Sequence, residues 1–100
     1  MFWATWCPYC NAAVPNINGL SKKFSDRLQI LAINFKEDPK KVEPFMKAKK
    51  VSYPILYDTQ GAIARKYGVT GIPTYVLVDK KGKIVYYDNG LPRNIAKLLD

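Results

Sequence analysis

The sequence predicts an α/β domain in which a mixed sheet is flanked by helices. Three observations carry this. Segments with apolar residues at helical spacing alternate with short, nearly continuous apolar runs of strand type. Two of those runs read as strands: Leu28–Phe35, nearly continuous in apolar character as a strand covered on both faces should be, and Thr74–Val78. The second run leads through Asp79-Lys80-Lys81-Gly82 into a further strand, which reads as an antiparallel hairpin. At 100 residues the chain is one domain, spanning 1–100, that buries roughly 60–65% of its unfolded surface in a single core.

Taken in order, Met1 to Thr5 is an apolar stub able to end a buried strand but too short to make a good one. Cys7 to about Phe24 reads as a helix. Pro8 fits its first turn, where a missing N–H matters little, and Pro15 should kink or loosen it. Val14, Ile17, Leu20 and Phe24 mark its core face. Ser25-Asp26-Arg27 turns the chain into the strand Leu28–Phe35. Asp38-Pro39 caps and opens a helix to about Lys49, with Val42, Phe45 and Met46 inward. Tyr53 to Tyr57 is a short extended piece, and Asp58 to Gly61 a turn. Ala62 to Tyr67 is a short helix closed by Gly68. Thr74–Val78 and Lys83–Tyr87 form the hairpin, and Pro92 to Leu99 a terminal helix. Neither a repeat nor a low-complexity tract interrupts this order.

Composition narrows the chemistry. Apolar residues make up 48% and charged residues 24%, as in a globular domain. Histidine is absent, which removes Ser–His and Cys–His catalysis and every histidine-ligated metal. Two cysteines cannot build a four-thiolate centre within one chain, so neither metal nor cofactor is expected beyond the cysteines themselves. The net charge of +8 is spread through Lys22-Lys23, Lys36, Lys40-Lys41, Lys47, Lys49-Lys50, Lys80-Lys81 and Lys83. These lysines lack interleaved aromatics, so they read as a solvated exterior and no nucleic-acid partner is expected. No signal peptide is visible before the cysteine motif, and no apolar run reaches membrane-spanning length.

Both cysteines lie in Trp6-Cys7-Pro8-Tyr9-Cys10. A C-x-x-C serves metal sites, structural bridges and reversible dithiols alike. At a helix start, however, the Cys7 thiolate would face unpaired N–H groups and the positive end of the macrodipole. Cys10, one turn on, would be more enclosed and placed to attack a mixed disulfide on Cys7. Tyr9 reads as a substrate contact or a tolerated exposed ring, and Trp3 and Trp6 as an apolar rim or as buried aromatics. Gly71-Ile72-Pro73-Thr74, just before a strand, is an ordinary proline turn or the site of a cis bond.

Phe2-Trp3-Ala4-Thr5-Trp6-Cys7-Pro8-Tyr9-Cys10 with Pro15, Tyr53 to Asp58, Tyr67 to Thr74 and Val78 to Ile84 together resemble the thioredoxin superfamily. Within it they resemble the TlpA/ResA-type thiol–disulfide oxidoreductases of bacterial extracytoplasmic spaces. The resemblance covers nearly the whole chain and implies a thioredoxin-like fold. It implies a cis Ile72–Pro73 bond beside Cys7, with the Ile72 backbone holding substrate and Pro73 excluding metal. Cys7 becomes the attacking and Cys10 the resolving thiol, with Trp6, Pro8, Tyr9 and Thr74 in support. Implied partners are protein thiols and disulfides and a membrane or soluble thiol donor. The implied activity is reduction of extracytoplasmic cysteines, cytochrome c maturation being an example. A redox-inert interaction module is the alternative.

The chain departs from the family pattern at three places. Ala13 stands where a glutamate is common, Met1 where an aspartate is buried, and Ala32 where a lysine accompanies it. Glu37 and Asp38 are candidate substitutes, but an exposed acid and a helix cap are the expectation, with water moving the Cys10 proton. The Cys-Pro-Tyr-Cys sequence is the one typical of glutaredoxins, whose pattern the rest of the chain does not follow. The central strand of the family is represented only by its last residues. That predicts an apolar gap and a weakened sheet centre around Met1 to Ala4. The open explanations are a late sequence start, a homodimer or strand exchange that fills the gap, and brief pairing by Met1–Ala4.

Overall fold

The computed structural model describes residues 1–99. Its elements are β1 (Phe2–Trp3), α1 (Pro8–Lys23), β2 (Ala32–Phe35), α2 (Pro39–Ala48), β3 (Ile55–Asp58), α3 (Ala62–Lys66), β4 (Tyr75–Val78), β5 (Ile84–Asp88) and α4 (Ile95–Leu98). The strands form a parallel set in the order β1-β2-β3 and an antiparallel pair β4-β5. Both bonding directions occur, so the architecture is the expected mixed one.

The two sets meet at one place. Phe2 donates its N–H to the Thr74 carbonyl at 2.8 Å and accepts from the Thr74 N–H at 3.2 Å. On its other side β1 pairs in parallel with β2, Phe2 opposite Ile33 and Trp3 opposite Asn34. Brief pairing by the first residues is therefore how this chain joins its sheets. Phe2 is 1% exposed and packs its ring, tilted by 53°, against Tyr67 at a centroid distance of 5.6 Å, so the junction is an apolar plug as well as a hydrogen-bonded one.

The expected strand at Leu28–Phe35 is half as long as its apolar pattern suggests. Only Ala32–Phe35 is laddered, in register with Ile55–Asp58 of β3. An apolar run becomes a strand only where a neighbour supplies N–H and C=O groups. β3 begins opposite Ala32, and β1 reaches no further than Ile33. Leu31, expected to be covered, is 42% exposed. The predicted gap is present as an apolar cleft of about 600 Å³ between the 28–31 segment, β4 and α4.

Smaller departures have local causes. α1 continues through Pro15, whose ring faces solvent. Val14, Ile17 and Phe24 are buried as expected, while Leu20 is half-buried and lines the cleft. α2 opens on the Asp38 side chain, which accepts from Lys40 N–H, with Pro39 in its first turn and Val42 fully buried. Asp58, expected in a turn, closes β3. Its carboxylate is buried and caps α3 by accepting from Ile63 and Ala64 N–H. β5 starts and ends one residue later than expected, and a register irregularity falls at Leu77/Val78. α4 is limited to Ile95–Leu98, since Asn94 supplies no side-chain cap. The core joins Trp3, Cys7, Cys10, Ala13, Ile17, Ala32, Val42, Tyr53 and Tyr75, which places the dithiol motif inside it.

Candidate functional site: a disulfide at the start of a buried helix

The turn from β1 into α1 sets the cysteines. Cys7 donates its N–H to the Ala4 carbonyl and occupies the N-cap of α1 in extended conformation, with Pro8 next. Its Sγ takes the place usually filled by a Ser or Asp oxygen, accepting the Cys10 N–H at 3.2 Å. Cys7 and Cys10 form a disulfide with Cα atoms 5.2 Å apart, within the ordinary bridging range. The bond lies at the positive end of a 16-residue helix, which favours a thiolate on Cys7 once it opens. Both cysteines are buried, at 3% and 1% exposure, whereas Trp6 just before Cys7 and Tyr9 between the two cysteines are 62% and 79% exposed.

The proline loop lies alongside. The Ile72–Pro73 peptide is cis. Thr74 is held by Phe2 through its backbone, and its hydroxyl donates to the Gly71 carbonyl at 2.5 Å. Asn89 reaches in from just past the end of β5, its amide donating to the Pro73 carbonyl at 3.0 Å and to Thr74 Oγ1 at 3.2 Å. Ile72 packs against the core cluster that contains both cysteines. Its own N–H and C=O find no partner among the described residues. A groove runs between Tyr9, Ala12 and Ala13 on one side and Ile72, Pro73 and Leu91 on the other.

The structure thus puts Tyr9, Ile72 and Pro73 on one groove and packs Ile72 against the cluster that holds Cys7 and Cys10, with Pro8 in the first turn of α1 and Thr74 tied to Phe2, Gly71 and Asn89. Trp6 flanks the motif from solvent and does not line that groove. The two-tryptophan rim is not formed, because Trp3 is buried against Phe45 at a ring distance of 5.7 Å.

Glu37 corrects a second expectation. It is not an exposed acid but lies beneath the turn that carries the dithiol, 8% exposed. Its carboxylate accepts from Thr5 N–H at 2.7 Å, Thr5 Oγ1 at 2.5 Å and Asn34 Nδ2 at 2.9 Å, with Lys41 Nζ at 3.5 Å. Asn11 completes the clamp by donating to the Thr5 carbonyl at 3.2 Å. Burial pushes the Glu37 pKa up, but the Thr5 and Asn34 hydrogen bonds and the Lys41 charge outweigh it and hold the carboxyl below its usual 4.5. An acid held ionised in this way is a poor proton acceptor for Cys10. Tyr53 in the surrounding core is pushed up to about 12 by burial and by Tyr75, and burial raises Tyr75 as well. Neither phenol is a base at neutral pH. No acidic side chain hydrogen-bonds either cysteine among the described residues.

Sequence reasoning missed the roles of Thr5, Asn34 and Asn89. The available signal was an asparagine three residues before an acid at a strand end, which places two polar groups where a β1 turn must pass.

The comparisons with known proteins agree with this geometry. The Redoxin family profile matches residues 1–98. The thiol–disulfide oxidoreductase ResA of Bacillus thuringiensis subsp. konkukian is 35% identical over 85 residues, covering 84% of this chain and 49% of that protein. The chain therefore spans about half the length of the curated relatives it matches. The crystal structure of StoA from Bacillus subtilis superposes with a TM-score of 0.81 at 31% identity, over 97% of this chain and 75% of that one. The exposed lipoprotein thioredoxin Etrx1 of Streptococcus pneumoniae gives 0.79 at 29% identity, over 97% and 76%. With a buried disulfide at a helix N-terminus beside a proline loop, and a family match along almost its full length, the chain belongs to the Redoxin family as a ResA-like member of the thioredoxin superfamily.

Proposed function

We propose that this chain is a thiol–disulfide oxidoreductase that passes electrons between its Cys7–Cys10 pair and protein cysteines. The observation that carries the reading is the disulfide at the α1 N-terminus beside the unpaired Ile72 backbone edge. In the reductive direction the Cys7 thiolate attacks one sulfur of a substrate disulfide, that S–S bond breaks, and the leaving thiolate takes up a proton. Cys10 then loses its proton, and its sulfur attacks Cys7 Sγ. The second substrate thiol is released and the Cys7–Cys10 bond forms, so the substrate gains two electrons and two protons. Water relays the Cys10 proton to solvent, because position 13 is alanine and no acidic side chain hydrogen-bonds either cysteine among the described residues. An extended substrate segment lies in the groove beside Tyr9 and pairs with the Ile72 backbone.

The reading takes the direction as reductive, the compartment as extracytoplasmic and a membrane or soluble thiol as donor, with apocytochrome c cysteines as one substrate class. The support is the likeness to ResA-type proteins and to a neighbour described as an exposed lipoprotein. A segment from a second copy filling the cleft is the corresponding partner reading. The test is insulin reduction with dithiothreitol, wild type against Cys7→Ser. Loss of the catalysed rate in Cys7→Ser is expected, and equal rates overturn the enzyme reading. A reduction potential above about −180 mV, in the range of disulfide isomerases, contradicts the reductive direction.

A further inference from the structure

The loop from Gly71 to Thr74 is tied on three sides. Its Thr74 backbone is hydrogen-bonded both ways to Phe2, and its Thr74 hydroxyl donates back to Gly71. The third tie is the Asn89 amide, whose Nδ2 reaches the Pro73 carbonyl at 3.0 Å and Thr74 Oγ1 at 3.2 Å. Among the described residues, Asn89 alone hydrogen-bonds the Pro73 carbonyl. Asn89 lies one residue past the end of β5, so this one amide couples the far end of the hairpin to the loop. Peptide units are rigid planes, so holding the carbonyl of Pro73 and the hydroxyl of Thr74 limits the tilt of the adjoining Ile72–Pro73 unit. That tilt aims the unpaired Ile72 C=O, which this unit carries, while the Ile72 N–H sits one unit earlier, across the Ile72 Cα. Asn89 also lines the groove opposite Tyr9 and Asn16 of α1.

We propose that Asn89 is a positioning residue for exchange with polypeptide disulfides, its amide setting the angle at which the Ile72 backbone edge meets an extended substrate. This rests on the oxidoreductase reading above. Backbone pairing is available to a polypeptide substrate and not to a small aromatic disulfide, so the two substrate classes separate the role.

The experiment compares wild type, Asn89→Ala and the isosteric Asn89→Asp, which lacks the donor. Each is assayed on insulin disulfides and on 5,5′-dithiobis(2-nitrobenzoate), together with the reduction potential. Both variants are expected to lose about three- to tenfold in kcat/KM on insulin, the factor for one neutral hydrogen bond, mainly through KM. Rates on the small disulfide stay within about twofold of wild type and the potential is unmoved. Because Asn89 is an exposed residue, folding is expected to survive both changes. An active wild type whose variants match it on insulin overturns this proposal alone. Equal losses on both substrates, or a shifted potential, also overturn it by showing general damage to the dithiol. A wild type inactive on both disulfides contradicts the oxidoreductase reading and this proposal together.

Discussion

Replacing Glu37 with glutamine removes a charge from beneath the dithiol turn while keeping the side chain's shape. In the wild type, Oε1 accepts from Thr5 N–H and Asn34 Nδ2, and Oε2 from the Thr5 hydroxyl. A glutamine carbonyl can retain the first two bonds, and the Thr5 hydroxyl can turn to accept from the new amide. What is lost is charge assistance, about 1 kcal/mol per bond over three bonds, partly offset because a neutral amide is cheaper to bury. The net loss is about 1–2 kcal/mol, which lowers Tm by roughly 5–15 °C in a domain of this size. Glu37→Ala leaves the Thr5 N–H and the Asn34 amide without an acceptor and is expected to cost about 3–5 kcal/mol. Lys41→Ala should cost less than about 0.5 kcal/mol, since that side chain is 65% exposed and screened by solvent. The pH dependence follows from the depressed carboxyl pKa. The Glu37 contribution is complete above the ordinary carboxylate range and is lost as pH falls through the lower folded value. Urea unfolding of wild type and Glu37→Gln at pH 7 and in increasing acid measures both effects. A glutamine variant within about 0.5 kcal/mol of wild type at pH 7, or a gap that does not shrink in acid, refutes the clamp.

Three further outcomes are expected. Phe2→Ala empties the plug between the two strand sets and should cost about 3–5 kcal/mol by chemical denaturation, and a loss below about 1.5 contradicts its bridging place. Amide exchange should be fast at Gln29 and Ile30, which have no ladder, and at least about a hundredfold slower at Ala32 and Ile33, bonded to Pro54 and Met1 carbonyls. Uniform protection across 29–33 would place an additional strand there. Tyr9→Ala, at an exposed position on the groove, should change stability by less than about 0.5 kcal/mol yet lower kcat/KM on insulin several-fold. Unchanged kinetics would make this ring a bystander.

What the sequence reveals and what it hides divides along the distance between partners. The Cys7–Pro8–Cys10 arrangement is legible because helix-start geometry is local: an N-cap, a proline in the first turn and a second sulfur one turn on. The hairpin around Asp79–Gly82 is legible for the same reason. The Leu28–Leu31 run reads as strand because its composition is right, but a ladder depends on neighbours, and β1 and β3 reach only from Ala32 onward. Glu37 looks like a surface acid among lysines because its main partner, Thr5, lies 32 residues away. Trp3 and Trp6 have the same composition signal, and only the pairing of β1 buries one and leaves the other in solvent. The Asn89 tie to Pro73 spans 16 residues and two elements, with no periodic pattern to announce it.

The central claim is that Cys7 attacks and Cys10 resolves, and trapping the mixed disulfide tests it most directly. Cys10→Ser, once Cys7 has attacked a protein disulfide, has no sulfur left to release it. It is therefore expected to accumulate a covalent adduct visible by mass spectrometry and cleared by dithiothreitol, while Cys7→Ser accumulates none. An adduct formed by Cys7→Ser in place of Cys10→Ser, or by neither variant, would contradict the assignment.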